Sequence, residues 1–179
     1  FNGRAQQLGV FAIGTARSYG DQEGVSLFLE EAAGLLSLNR KRTLAGRLLA
    51  THAMHAGVSF GDVARTLLRE HDFTASEAVT LAERAFRAGG VARDAVYLSS
   101  WLRVRHAVLD GTAALQELQL GKVSLASLPD VRRLRAEGLV NPPTYLSNLA
   151  RSRGWTAAGT RSETSPPSLA TSLTRVDAT

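Results

Sequence analysis

The sequence predicts a mainly α-helical, multi-helix domain, and three observations predict it. Apolar residues recur with a helical period through the first 150 residues. Capping residues precede several of these periodic stretches, and glycine or proline follows them. No stretch alternates between apolar and polar residues as a strand does. A chain of 179 residues with 44% hydrophobic and 21% charged residues is long enough to bury one globular core.

The first two predicted helices follow from this period. The first covers residues 22–38, with Asp21 as its N-cap. Its apolar face consists of Val25, Phe28, Leu29, Ala32, Leu35 and Leu36. The second covers residues 43–56 and ends before Gly57. Its inward side chains are Leu44, Leu48 and Leu49.

Ser59 and Thr74 open the third and fourth predicted helices, because a carboxylate side chain follows each of them three residues later. The third helix passes through Leu67 and Leu68, and the fourth ends before Gly89-Gly90. These two helices therefore have both a start signal and an apolar stripe.

The remaining predicted helices lie between residue 92 and the breaker Asn141-Pro142-Pro143. One long helix covers residues 92–109 and stops at a glycine turn. Two shorter helices cover residues 113–120 and 125–137.

Composition divides the chain into a folded domain, residues 1–150, and a tail, residues 151–179. The tail has eleven Ser or Thr among its 29 residues and the pair Pro166-Pro167. Such a segment cannot bury enough apolar surface to offset the entropy lost on ordering, so we expect it to be disordered.

Several functional classes are excluded by composition. The chain has no cysteine, which excludes disulfides, cysteine metal sites and a thiol nucleophile. It lacks a run of about 18 apolar residues and a secretory signal, so we expect a cytoplasmic protein with no membrane partner. The net charge of +5 is dispersed, and its longest basic block is Arg40-Lys41-Arg42. We therefore expect no nucleic-acid partner.

The four histidines do not form a recognisable metal motif. His52 and His55 are three residues apart on one predicted helix and could share a metal ion. The alternative, which we favour, is a pair of partly exposed cations that suit the dipole at a helix end. His71 and His106 have no evident partner.

Seven short motifs occur in a fixed order along residues 2–149. They are Asn2-Gly3-Arg4-Ala5-Gln6, Gln22-Glu23-Gly24-Val25, Arg42-Thr43-Leu44-Ala45, Phe86-Arg87-Ala88-Gly89-Gly90, Arg93-Asp94-Ala95-Val96-Tyr97-Leu98, Gly121-Lys122-Val123 and Gly138-Leu139-Val140-Asn141-Pro142-Pro143. In this order and spacing, the chain resembles the C-terminal half of the tyrosine carboxypeptidase-like metalloproteases. That family includes the microtubule-associated tyrosine carboxypeptidases and bacterial proteins named for a QEGLA motif.

The resemblance implies a zinc peptidase with an H-E-x-x-x-H motif and a distant glutamate. It makes Glu23 the third zinc ligand; the alternative is a glutamate that the dipole favours in the first turn of a helix. Gly24 would keep the approach to the metal uncrowded, or it is a tolerated helical glycine.

The histidine motif that the resemblance implies is absent from these 179 residues. In the family it immediately precedes the Asn-Gly-Arg-Ala-Gln segment, which corresponds to a position before Phe1. A first residue other than Met also suggests a fragment. We therefore expect one zinc ligand and no general base in this chain, and we expect the chain alone neither to hold zinc tightly nor to cleave peptides.

Arg87, Arg93 and Tyr97 are further candidates, because they lie in the family motifs. A carboxypeptidase needs a cation for the terminal carboxylate of a peptide or protein substrate, and a donor for the developing oxyanion. Alternatively, Arg93 and Asp94 form an ion pair at a helix start, and Tyr97 belongs to the core. The animal family members act on the terminal tyrosine of tubulin, but a substrate does not follow from a scaffold.

Two other functions compete with the peptidase. One is a non-catalytic helical regulator or scaffold that lacks the histidines. The other is a basic nucleic-acid binder in which residues 59–88 imitate a helix-turn-helix, although no helix there is rich in base-reading side chains.

Overall fold

The computed structural model describes residues 2–87 and 91–148, and the side chains of residues 2–87 and 94–148. Within these ranges the chain is helical and contains no strand, which confirms the predicted fold class. The α-helices are α1 (Val10–Ile13), α2 (Ser18–Ala32), α3 (Leu38–His55), α4 (Phe60–Glu70), α5 (Ala75–Phe86), α6 (Val91–Leu109), α7 (Leu115–Leu118) and α8 (Leu128–Ala136). Two 3-10 helices cover Asn2–Ala5 and Leu125–Ser127. The predicted tail, residues 151–179, lies outside the described residues.

None of the helices in the described ranges has both the length and the apolar character needed to cross a bilayer.

Two helix starts agree with the predicted caps. The backbone N–H of Asp62 donates to Ser59 Oγ over 3.2 Å at the start of α4. At the start of α5, the Glu77 N–H donates to Thr74 Oγ1, and the Thr74 N–H donates to the Glu77 carboxylate over 2.9 Å. This reciprocal pair is a complete capping box.

The first predicted helix had wrong boundaries. α2 begins at Ser18, after Arg17 in a left-handed conformation (φ 63°), and Asp21 is therefore a buried residue of its first turn and not its N-cap. The helix ends at Ala32 because Gly34 turns the chain with φ 74°. Leu35 consequently lies outside the helix and is 70% exposed.

The boundaries of other predicted helices also change. α3 begins at Leu38, because Ser37 Oγ accepts a hydrogen bond from the Arg40 N–H. Leu49, which was predicted to point inward, is exposed. The last two predicted helices are shorter, since α7 spans four residues and α8 begins only after the 3-10 turn at Leu125–Ser127.

Two apolar clusters form the core. The larger one joins α2 and α6 to α1, α7 and α8 through Phe11, Val25, Phe28, Trp101, Val104, Leu115, Leu118 and Val131. The smaller one joins α3, α4 and α5 through Ala50, Val63, Leu67, Phe73, Leu81 and Ala82. α3 belongs to both, because Leu44 lies in the first cluster and Ala50 in the second.

The packing of α2 on α6 depends on two glycines. A Cβ atom on Gly24 would lie 2.4 Å from the carbonyl oxygen of Ser100, and one on Gly20 would lie 3.1 Å from Val96 Cγ1. Because the contact positions advance together, the two helices run in the same direction. The close approach gives Gly24 a packing role, which the sequence alone did not reveal.

Candidate functional site

Four of the motif segments meet at one junction near the N-terminal end of α2. Asn2 Nδ2 donates to the carbonyl oxygens of Gln119 and Tyr145, and the Tyr145 N–H donates back to Asn2 Oδ1 over 2.8 Å. Gln6 and Asn141 form a similar reciprocal pair, with distances of 2.8 and 3.0 Å. These amide side chains join the first residues of the chain to segments more than 110 positions away.

Glycines make the same junction compact. A Cβ atom on Gly3 would lie 2.3 Å from the carbonyl oxygen of Phe11, and one on Gly121 would lie 2.4 Å from that same oxygen. The oxygen accepts a hydrogen bond from the Lys122 N–H over 2.9 Å. The glycines of these two motifs are therefore required for close backbone contact.

Gln22 ties α2 to this junction. Its Nε2 donates to the carbonyl oxygens of Leu118 and Val123, over 3.0 and 3.2 Å. The preceding residue, Asp21, accepts hydrogen bonds from Arg103 over 2.9 Å and from the Leu125 N–H over 2.8 Å. The turn of α2 that leads to Glu23 is thus fixed by contacts on both sides.

A groove of about 440 Å³ opens at the junction. Its lining residues come from three motif segments and from stretches outside the motifs: Asn2, Gly3, Arg4, Phe11, Ala12, Gln22, Gln119, Gly121, Lys122 and Tyr145. Arg4 and Lys122 are its charged lining residues, so the groove is basic. Glu23 does not line it but directly follows Gln22 in the chain.

Glu23 lies in the second turn of α2 and is half-buried. Its carboxylate has no hydrogen bond or ion pair with any described residue. The acidic residue of the first turn is Asp21, so the interpretation of Glu23 as a first-turn dipole residue loses its basis. Burial of a carboxylate without a partner costs free energy, so a bound cation would stabilise Glu23.

Glu23 lies on the same face of α2 as Glu30, because the two residues are seven positions apart. Glu30 forms a 3.1 Å ion pair with Arg40 across the turn between these helices. Seven residues are two helical turns, so Glu23 lies above Glu30 on α2, and Arg47 lies above Arg40 on α3. Gly20 and Gly24 of α2 approach Val96 and Ser100 of α6. Arg47 interacts electrostatically with Asp94 and Tyr97 of α6, so Glu23 and Arg47 lie beside the same stretch of that helix.

α6 packs against both of these helices. On α6, Asp94 is 3% exposed and accepts two hydrogen bonds from Arg84, over 2.5 and 3.0 Å. Burial and the neighbouring Arg84 guanidinium lower the pKa of Arg47, while Asp94 and Tyr97 act in the opposite direction. Arg47, Arg84, Asp94 and Tyr97 therefore form one electrostatic cluster, which we call the arginine cluster.

The predicted site residues are only partly brought together. Arg87 is 69% exposed and pairs with Glu83 over 2.6 Å at the end of α5, as a surface ion pair. Tyr97 lies in the arginine cluster, half-buried on α6. The side chain of Arg93 lies outside the described residues. Arg47 was missed because it belongs to none of the seven motifs.

The structure gives no complete metal site. His52 and His55 are both exposed in the last turn of α3. No group of three His, Cys, Asp or Glu side chains in the described ranges could hold a metal ion. Glu23 fits one ligand position of a His/His/Glu zinc set, and the described residues do not supply the two imidazoles.

Comparison with known proteins identifies the family. No curated protein and no solved structure matches the chain. A family model described as microtubule-associated tyrosine carboxypeptidase matches residues 1–162, which is most of the 179 residues. This match confirms the family resemblance that the order of the motifs predicted. This chain belongs to the microtubule-associated tyrosine carboxypeptidase family.

Proposed function

We propose that this chain is part of a zinc-dependent carboxypeptidase in which Glu23 is a metal ligand. The observation that carries the proposal is the carboxylate of Glu23, which is half-buried and has no partner among the described residues. Asp21, Gln22 and Gly24 fix the surrounding turn by hydrogen bonds and by helix packing. A ligand needs this kind of support, because a metal site is selective only when its donors are held in place.

Zinc in such a site supplies a bound water with a pKa near 7, which can attack a peptide carbonyl. The part of the chain that the structure describes contains one donor of the set. The two imidazoles and the general base belong to an H-E-x-x-x-H motif that these 179 residues do not contain. The role of this chain is therefore to provide the third ligand and the surrounding substrate-binding surface.

We propose the C-terminus of a peptide or protein as the substrate class. The family description names a tyrosine carboxypeptidase, and an enzyme of that type removes the last residue of a chain. The basic groove with Arg4 and Lys122, and the arginine cluster between α3 and α6, both suit a substrate that ends in a carboxylate.

The test uses the full-length gene product, after the coding sequence upstream of the Phe1 codon has been read for an in-frame H-E-x-x-x-H. Glu23→Gln is expected to weaken zinc affinity by roughly tenfold or more, since changes in groups that only support the ligands already cost 10–100-fold. Competition with a chromogenic chelator measures this affinity without any activity assay.

Glu30→Gln is the matched control, because Glu30 lies on the same side of α2 and pairs with Arg40. It should leave zinc affinity unchanged. Equal zinc affinities of the wild type and Glu23→Gln would contradict the ligand role. A gene product without the histidine motif would favour the non-catalytic regulator or scaffold instead.

A further inference from the structure

Arg47 has a buried guanidinium N–H that donates no hydrogen bond to any described residue. The Nε atom that carries it is shielded from water. No described carboxylate lies within ion-pair distance of its guanidinium. Buried donors are nearly always satisfied, so an orphaned guanidinium N–H calls for a ligand or another partner.

The neighbouring arginines are already neutralised. Arg84 binds the buried carboxylate of Asp94 with two hydrogen bonds, and Arg40 binds Glu30. Arg47 therefore leaves the arginine cluster with one uncompensated positive charge. Burial makes this charge costly, as the lowered pKa of Arg47 indicates, and an anion would remove that cost.

The backbone of α3 directs Arg47 toward α6. Gly46, the preceding residue, packs so closely on the smaller core cluster that a Cβ atom would lie 2.7 Å from Phe73 and 2.8 Å from Leu81. This contact fixes the rotation of α3. Tyr97 lies within electrostatic range of Arg47, and its hydroxyl has no hydrogen-bond partner among the described residues.

The position of Arg47 relative to Glu23 suggests the chemical identity of the anion that Arg47 would bind. Glu23, which lies between Gly20 and Gly24, and Arg47 lie beside the same stretch of α6, residues 94–100, but no ion pair joins them. In a carboxypeptidase substrate the scissile carbonyl and the terminal carboxylate belong to neighbouring residues, whose Cα atoms are about 3.8 Å apart. A cation that serves the carboxylate must therefore lie near the metal ligand without contacting it.

We propose that Arg47 binds the C-terminal carboxylate of the peptide substrate, with the Tyr97 hydroxyl as a second donor. The proposal rests on the carboxypeptidase function proposed above. A guanidinium presents two parallel N–H groups that match a carboxylate, and the partly dry surroundings strengthen this pairing. Arg87, the arginine that the motifs indicated, is exposed and already paired, so it is the weaker candidate.

The experiment compares two peptides that end in tyrosine, one with a free carboxylate and one with a C-terminal amide. A ketomethylene group replaces the last peptide bond, so that neither is cleaved. Calorimetry with the full-length zinc protein measures both dissociation constants. We expect the carboxylate form to bind about tenfold tighter or more, as a charge-assisted hydrogen bond implies.

Arg47→Gln should remove this preference, whereas the control Arg87→Gln should keep it. A preference that survives in a folded Arg47→Gln protein overturns the assignment and leaves the peptidase proposal standing. If the wild type binds neither peptide, the peptidase proposal fails together with it.

A measurement on the wild type covers the case in which Arg47→Gln does not fold. The ¹⁵N resonance of Arg47 Nε, assigned by labelling and by Arg47→Lys, should shift on addition of the carboxylate peptide and not of the amide. An unchanged resonance in the presence of saturating carboxylate peptide overturns the proposal.

Discussion

At the scale of single residues, the motif side chains serve mainly as connectors. Asn2, Gln6 and Gln22 each donate to backbone carbonyls of distant segments, and Asn2 and Gln6 also accept from backbone N–H groups. A primary amide carries both donors and an acceptor, so one side chain can satisfy several loop backbone groups. These motif side chains therefore connect distant segments of the fold, whereas Glu23 is the motif residue for which we propose a chemical role.

Glu117 provides a pH-dependent connection between α7 and α8. Its carboxylate is 7% exposed and accepts hydrogen bonds from Arg132 over 2.7 and 2.8 Å and from the Ala114 N–H over 3.0 Å. Burial raises the pKa of Glu117, but these hydrogen bonds and the Arg132 charge outweigh it, so the pKa lies below the ordinary value of 4.5.

A lowered folded-state pKa means that Glu117 stabilises the fold above pH 4.5 and that this contribution is lost as the pH falls through the folded-state pKa. Glu117→Gln should therefore cost about 1 kcal/mol of unfolding free energy at pH 7, since Arg132 is partly exposed and water screens the pair. The difference from wild type should shrink at about pH 3. Urea unfolding at both pH values measures it.

Glu137→Gln is the control for this measurement, because Glu137 is exposed at the end of α8. It should change stability little at either pH. A cost of Glu117→Gln that is equally large at both pH values would contradict the linkage between Glu117 and acid stability.

At the scale of helices, local signals were sufficient where a cap lies close to its helix. Ser59 and Thr74 opened α4 and α5 as predicted, because a capping pair is complete within four residues. The start of α2 was mispredicted because the helix begins after Arg17, which has a left-handed backbone conformation. Residues other than glycine rarely adopt this conformation, so nothing in the sequence indicated it. α1 was missed because four residues are too few to show a period.

Two helical glycines should respond in opposite ways to alanine. Gly24→Ala should destabilise the protein by about 1–3 kcal/mol, because the new Cβ would meet the Ser100 backbone at 2.4 Å and force α2 and α6 apart. Gly61→Ala should stabilise it by about 0.5–1 kcal/mol, since Gly61 lies in the first turn of α4 and has only the end of the Arg65 side chain near it. Thermal and urea unfolding measure both, and a neutral Gly24→Ala would show that the helix contact is looser than the structure has it.

At the scale of the whole molecule, the sequence offered candidate residues but not their relative positions. Glu23 was singled out through its motif, and it lies in a turn of α2 that neighbouring contacts hold in place; its ligand role stays a prediction. Arg47 could not be found in this way. Its significance depends on α2 and α3 packing against the same stretch of α6, and contacts between helices are not encoded in a local pattern. Arg87 was a motif residue, but its side chain turns to Glu83 on the surface.

The last prediction concerns the 179-residue chain as a whole. Catalytic zinc sites in proteins hold the ion with three protein ligands, and a single carboxylate such as Glu23 binds it weakly. The isolated chain should therefore lose zinc on dialysis and release no C-terminal residue from a peptide that ends in tyrosine. Metal analysis by mass spectrometry and chromatography of the peptide measure the two outcomes, with the full-length gene product as the control. Retention of equimolar zinc by the 179-residue chain would mean that its own residues complete the ligand set. His52 and His55 would then be the first side chains to test by substitution.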